Sequence, residues 1–82
     1  MNTDSVSITL RPDFKAKIQY ISTNYQIDES TLIDIFRDYG RDYERISDTQ
    51  VTTYLEHDHG IQLDKQNSRG LSAICQFLAA NS

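Results

Sequence analysis

The apolar positions divide this chain into one short alternating segment and four longer stretches with helical spacing. In the short segment the apolar residues are Val6, Ile8 and Leu10, and the polar residues between them are Ser7 and Thr9. A period of two with β-branched residues is typical of a β-strand. Pro12 follows directly. It cannot donate to a sheet hydrogen bond and suits the first turn of a helix, so the pattern predicts a strand over 6–10 and a helix from Pro12.

Two amphipathic stretches follow Pro12, with a short connection at 24–27 between them. The apolar residues of the first are Phe14, Ile18, Ile21 and Tyr25, and those of the second are Leu32, Phe36, Tyr39, Tyr43 and Ile46. Spacings of three and four place each set on one helical face. Asp28 and Ser30 are alternative caps for the second helix. Gly40 is compatible with the end of this helix, or with its interior at a cost of about 1 kcal/mol.

Two further helices are predicted in the second half. Ser47 and Gln50 have the spacing of a capping box at the start of the third helix, and Gly60 before Ile61 is typical of its end. After a polar stretch at 64–70, the apolar residues Leu71, Ile74, Cys75 and Leu78 mark a fourth helix. We therefore expect a mainly α fold, in which residues 47–82 form a helical extension packed on the same core as residues 1–46.

The predicted strand requires a partner. An unpaired strand leaves its backbone donors and acceptors unsatisfied, and even two isolated strands are marginally stable in water. No second convincing strand follows in the sequence. The simplest partner is the same strand of another copy, so the sequence predicts a homodimer.

The first half of the chain resembles the ribbon-helix-helix family of DNA-binding proteins, which includes small phage and plasmid repressors and the methionine repressor. The segments that carry the resemblance are, in order, VSITL, RPDFKAKIQYISTNY, QI and DESTLIDIFRDYG. They follow the family order of strand, helix, tight connection and capped helix, with no insertion. The match covers residues 5–45, about half of the chain.

The resemblance implies that two strands pair into an antiparallel ribbon that enters the major groove of DNA. The residues it assigns to base edges are Ser7, Thr9 and Arg11. Glu29 and Ser30, at the start of the second helix, would hold a phosphate. The residues it assigns to the dimer core are Val6, Ile8, Leu10, Leu32 and Phe36. Two departures from the family pattern stand out. Gln26 replaces the usual glycine of the connection, and the charges of Asp28 and Glu29 oppose an approaching phosphate.

The charge balance bears on any DNA-binding function. The chain has 8 basic and 12 acidic side chains in 82 residues, a net charge of -4, whereas most DNA-binding domains are basic. DNA binding therefore depends on where the positive charges lie, and Lys15, Lys17 and Arg37 are candidates for contact with the DNA backbone. The acidic balance keeps open a second function, a ribbon-helix-helix-like protein-interaction module that does not bind DNA.

Other chemistry is weakly indicated. His57 and His59 have no third ligand at a metal-binding spacing, Cys75 lies on an apolar helical stripe, and no catalytic motif is present, so we expect neither an enzyme nor a cofactor. The chain has no long apolar run and no signal-peptide pattern, which predicts a cytoplasmic protein without a membrane partner.

The preferred function is a dimeric, sequence-specific transcriptional regulator, of which an antitoxin and a plasmid- or phage-type repressor are two versions. Its last two helices would extend the core, join dimers or bind a protein partner.

Overall fold

A computed structural model describes residues 10–81, and this part of the chain is mainly α. Its helices are α1 (Pro12–Tyr25), α2 (Glu29–Asp42), α3 (Asp48–His59) and α4 (Leu71–Ala80). No strand lies within residues 10–81. The prediction of a mainly α fold is confirmed. Of the predicted strand over 6–10, only Leu10 lies within the described residues; Val6, Ser7, Ile8 and Thr9 lie outside them. The ribbon therefore stays a prediction.

Local signals set the two ends of α3. The backbone N–H of Ser47 donates to Gln50 Oε1 at 2.8 Å, and the N–H of Gln50 donates to Ser47 Oγ at 3.2 Å, which confirms the predicted capping box. At the other end Gly60 adopts φ 66°. Its N–H donates to the carbonyl of Glu56, and the next residue, Ile61, is buried. The sequence therefore specifies the start and the end of this helix.

The connection between α1 and α2 turns through a left-handed residue that is not glycine. Gln26 has φ 55° and ψ 49°. The N–H of Ile27 donates to the carbonyl of Ser22 at 3.1 Å, and Ser22 Oγ donates to the carbonyl of Ile27 at 2.5 Å. The tight turn expected from the sequence is thus made at the cost of a strained side-chain-bearing residue.

One hydrophobic cluster contains residues from all four helices and from the segment before α4. Its members are Phe14, Ile18, Ile21, Leu32, Phe36, Val51, Leu55, Ile61, Leu71, Ile74, Cys75 and Leu78. Leu32 and Phe36 are 0% exposed within a single chain, so their burial requires no second copy. Their assignment to a dimer core stays a prediction, and the argument for a dimer rests on residues 6–10.

The packing of α4 along α2 is the most extensive helix pair of the described chain. Gly40 lies inside α2, which decides between the two placements left open by the sequence. A Cβ atom at position 40 would lie 2.7 Å from the carbonyl carbon of Cys75 and 3.0 Å from the Cβ of Ala79. Gly40 is therefore required for the close approach of α4.

The second helix is shorter than the apolar spacing predicts. It ends at Asp42, so Tyr43 is extended and Ile46 lies in the connection to α3. The chain has to leave the axis of α2 before Ser47 can cap the next helix, which explains the early end. At its start Asp28 is the N-cap, although its side chain makes no capping bond, and Ser30 is already helical. Within the described residues no helix is long and apolar enough to cross a membrane.

Candidate functional site

Arg11 precedes α1 and is held against its first turn. Its guanidinium donates to the carboxylate of Asp13 at 3.0 Å and lies 4.7 Å from the ring centroid of Phe14. Both partners of the ion pair are more than half exposed, with side chains 62% and 58% accessible. An exposed pair of this kind contributes about 0–1 kcal/mol, so Arg11 can exchange Asp13 for another acceptor at little cost.

Lys15 and Lys17 lie on α1 but have different surroundings. Lys15 is exposed. Lys17 is partly buried, and its Nζ donates to the backbone carbonyl of Asn67 at 3.1 Å. This bond fastens α1 to the polar segment that precedes α4, and it leaves two of the three ammonium donors for other acceptors.

Asp48 organises the same region from the first residue of α3. Its carboxylate accepts from the backbone N–H groups of Gly70 and Ser72, each at 2.9 Å, and so caps the start of α4 across the structure. Burial of Asp48 acts to raise its pKa. The two N–H groups, the Ser72 hydroxyl and the charge of Lys17 act to lower it and together outweigh burial, so the pKa of Asp48 is below its ordinary value. The carboxylate is therefore stabilised in its charged form.

A groove of about 390 Å³ runs beside this capping site, and we call it the basic groove. It is lined by Asp48, Thr49, Thr52, Thr53, Leu63, Lys65, Ser68 and Arg69. Lys65 and Arg69 each lie two residues from Asn67, the acceptor of the Lys17 bond. Sequence reasoning missed both of them because they belong to a polar turn with no motif. Only the contact between α1 and this turn brings them near Lys17.

The predicted phosphate site at the start of α2 is not brought together with Arg11. Glu29 and Ser30 are exposed in the first turn of α2, which follows the C-terminal end of α1, whereas Arg11 lies at the opposite end. A helix of 14 residues is about 21 Å long. Within one chain these residues therefore lie far apart. Arg37, on the same helix, forms an ion pair with Asp34.

A second groove, of about 520 Å³, lies between α2 and α3. We call it the tyrosine groove, and it is lined by Tyr39, Tyr43, Thr49, Gln50, Thr53, Tyr54, His57 and Asp58. It shares Thr49 and Thr53 with the basic groove, so the two run along either side of the exposed face of α3. The sequence predicts mainly packing roles for these tyrosines, yet Tyr43 is 50% exposed.

Of the residues with possible metal or nucleophilic chemistry, His57 and His59 are exposed at the end of α3 and Cys75 is in the core. His59 Nε2 lies 3.2 Å from the hydroxyl of Tyr54. Cys75 is buried, and burial raises the pKa of its thiol to about 12. Within residues 10–81 no group of three or more His, Cys, Asp or Glu side chains could hold a metal ion.

The likeness to ribbon-helix-helix proteins rests on the sequence pattern alone. Comparison of this chain with family models, with curated proteins and with solved structures gave no match.

Proposed function

We propose that this protein is a dimeric, sequence-specific DNA-binding regulator. In this proposal the segment before α1 reads the major groove with Ser7, Thr9 and Arg11, as the resemblance implies. The basic side chains of α1 and of the turn before α4 contact the DNA backbone. Phosphate contacts position such a protein, and contacts with base edges give it specificity.

The separation of charges is the observation that supports the proposal best. Five of the eight basic residues lie just before α1, on α1 or in the turn before α4: Arg11, Lys15, Lys17, Lys65 and Arg69. The bond from Lys17 to Asn67 brings these two parts of the chain together. Residues 11–25 and 61–70 carry these five basic side chains against the acidic Asp13 and Asp64, so the net charge of -4 does not describe these two segments.

The acidic side chains of α2 are partly neutralised by their own helix. Arg37 pairs with Asp34, and Arg41 Nη1 lies 3.8 Å from Asp38 Oδ1. Both pairs are spaced three residues apart, as expected for neighbours on a helix surface. These arginines reduce the repulsion that α2 would exert on DNA.

Dimerisation is the second part of the proposal. Leu10 is partly buried against the core just before α1. Because the core of residues 10–81 closes within one chain, the pairing of two copies would depend on the segment that contains Val6 and Ile8. Two paired segments would present their polar side chains twice, as a palindromic site requires.

A titration with DNA at increasing salt tests the proposal. We expect binding to the DNA upstream of the protein's own coding sequence, measured by fluorescence anisotropy, and an affinity that falls steeply between about 50 and 200 mM salt. Arg11→Ala should abolish the preference for that DNA over mixed sequence. The double variant Lys65→Ala and Arg69→Ala should weaken binding to the upstream DNA and to mixed-sequence DNA equally. It should also reduce the steepness of log affinity against log salt by about 2.

Arg45→Ala is the matched control, because Arg45 is an exposed arginine in the connection between α2 and α3. It should change neither the preference nor the slope. Absence of binding at about 50 mM salt and micromolar protein would instead favour the protein-interaction module.

A further inference from the structure

Four aromatic rings form a continuous row along the tyrosine groove. The ring centroids of Tyr43 and Tyr39 are 4.6 Å apart, and those of Tyr39 and Tyr54 are 4.5 Å apart. His59 continues the row, with its ring 5.2 Å from that of Tyr54 in an edge-to-face arrangement. Tyr39 lies between the other two tyrosines, so helix α2 and helix α3 are joined through their aromatic side chains.

The outer end of this row is accessible to a partner. Tyr43 is one of two large hydrophobic residues exposed within residues 10–81, and the other, Tyr20, lies on α1. Because α2 ends at Asp42, the backbone of Tyr43 is extended, and its ring packs against that of Tyr39. A half-exposed ring next to a groove of about 520 Å³ offers an aromatic surface for another molecule.

Three carboxylates lie close enough to the row to act on it electrostatically. Asp58 lines the groove, and Asp38 and Asp42 each immediately precede one of the stacked tyrosines of α2. Burial raises the pKa of Tyr54, and the charges of Asp58, Asp38 and Asp42 raise it further, which shows that all three carboxylates act on this ring. Within residues 10–81 neither Asp42 nor Asp58 forms an ion pair.

We propose that the tyrosine groove binds an arginine-bearing segment of a partner protein. A cation placed over a tyrosine ring is attracted by the negative face of the ring, and nearby carboxylates add to that attraction. The same carboxylates repel phosphate groups, so nucleic acid is a poor occupant of this groove. The proposal does not rest on DNA binding.

Arginine fits this groove better than lysine does. Its guanidinium is planar, stacks on aromatic rings and presents several donors to carboxylates at the same time. Lysine carries the same charge at a single point and is more strongly hydrated. A comparison of the two side chains therefore separates recognition by the rings from attraction to an acidic protein.

The test uses the full chain and two short labelled peptides, one of alternating arginine and glycine and one of alternating lysine and glycine. By fluorescence anisotropy at about 50 mM salt, the arginine peptide should bind at least about threefold more tightly than the lysine peptide. Tyr43→Ala should weaken binding of the arginine peptide about three- to fivefold, whereas Tyr43→Phe, which keeps the ring face, should retain it.

A second pair of variants tests the carboxylates. The double variant Asp42→Asn and Asp58→Asn should weaken binding of both peptides about fivefold. Two matched controls should leave binding unchanged: Tyr20→Ala removes the exposed tyrosine of α1, and Asp28→Asn removes one charge at the far end of α2. Helical circular dichroism of each variant verifies that the fold is intact.

Several outcomes would overturn the proposal. They are equal affinity for the two peptides, no effect of Tyr43→Ala, or an equal loss with Asp28→Asn and with the groove double variant. Self-association that depends on Tyr43, detected by sedimentation at the same protein concentration, would assign the groove to a second copy and would also overturn it. A failure of DNA binding has no bearing on any of these readouts.

Discussion

The backbone of Gly40 on α2 lies directly against the backbone carbonyl of Cys75 on α4, in the space where any other residue would have its Cβ atom. This contact explains why a residue that weakens helices stands inside α2. The free energy that glycine costs in a helix, about 1 kcal/mol relative to alanine, is offset by the close packing of α4 on α2, whose apolar residues share one core cluster with Leu32 and Phe36.

Gly40→Ala should lower the free energy of unfolding by about 1–3 kcal/mol, although alanine is the better helix former. The added methyl group would meet backbone atoms and the Cβ of Ala79, so α2 and α4 have to separate. Urea unfolding followed by circular dichroism measures the change. Thr31→Ala, at an exposed position of the same helix, is the control and should be close to neutral. A more stable Gly40→Ala protein would show that the two helices are not this close.

Gln26→Gly should raise the free energy of unfolding by about 0.5–1 kcal/mol, because glycine adopts the left-handed conformation of this turn without strain. Thermal unfolding measures the effect. Gln19→Gly, at an exposed position inside α1, should instead lower the free energy of unfolding by about 1 kcal/mol. Destabilisation by both glycines would argue against a left-handed residue at position 26.

Asp48→Asn should lower stability at neutral pH by about 1–2 kcal/mol, because the carboxylate accepts the N–H groups of Gly70 and Ser72. The folded-state pKa of Asp48 lies below its unfolded value, so this stabilisation is present above the unfolded pKa and is lost as the pH falls through the folded pKa. The difference in the free energy of unfolding between the wild type and Asp48→Asn should therefore narrow below about pH 4. Asp28→Asn, at a carboxylate that makes no capping bond, is the control and should leave the free energy of unfolding at neutral pH nearly unchanged.

Cys75 should react with a thiol reagent only when the protein unfolds. It is 0% exposed and burial raises its pKa to about 12, so the folded chain offers neither access nor thiolate near neutral pH. Labelling rates at increasing urea should follow the unfolding transition. Because the folded pKa lies above the unfolded one, Cys75 should also make the protein less stable as the pH rises above about 8.5. Rapid labelling without denaturant would contradict the described packing of α4.

Ile8→Asp should convert the proposed dimer into a monomer that retains its helices. The proposed dimer would depend on the predicted strand, whereas the core of α1–α4 closes within one chain. Sedimentation gives the mass and circular dichroism the helix content. Ser7→Asp, on the polar side of the same segment, is the control and should stay dimeric. A wild-type protein that is monomeric at high micromolar concentration would rule out the dimer.

Local chemistry made much of the secondary structure predictable. Pro12 at the first position of α1, the reciprocal bonds of Ser47 and Gln50, and Gly60 at the end of α3 all involve residues within one turn of each other. Apolar spacing likewise identified most of the buried residues, because a helix places residues three and four apart on one face. The length of α2 was predicted wrongly because nothing local to Tyr43 shows where the chain must turn toward α3.

By itself the sequence determined the order of the helices, the buried side of each and the short connection between α1 and α2, since these depend on neighbouring residues. Only the tertiary structure decided that α4 packs closely against Gly40. It also decided that Lys17 bonds to the turn that carries Lys65 and Arg69, and that Tyr39 packs against Tyr54. These contacts join residues far apart in the chain. Their geometry depends on how whole helices pack, and no periodicity within a single helix encodes it.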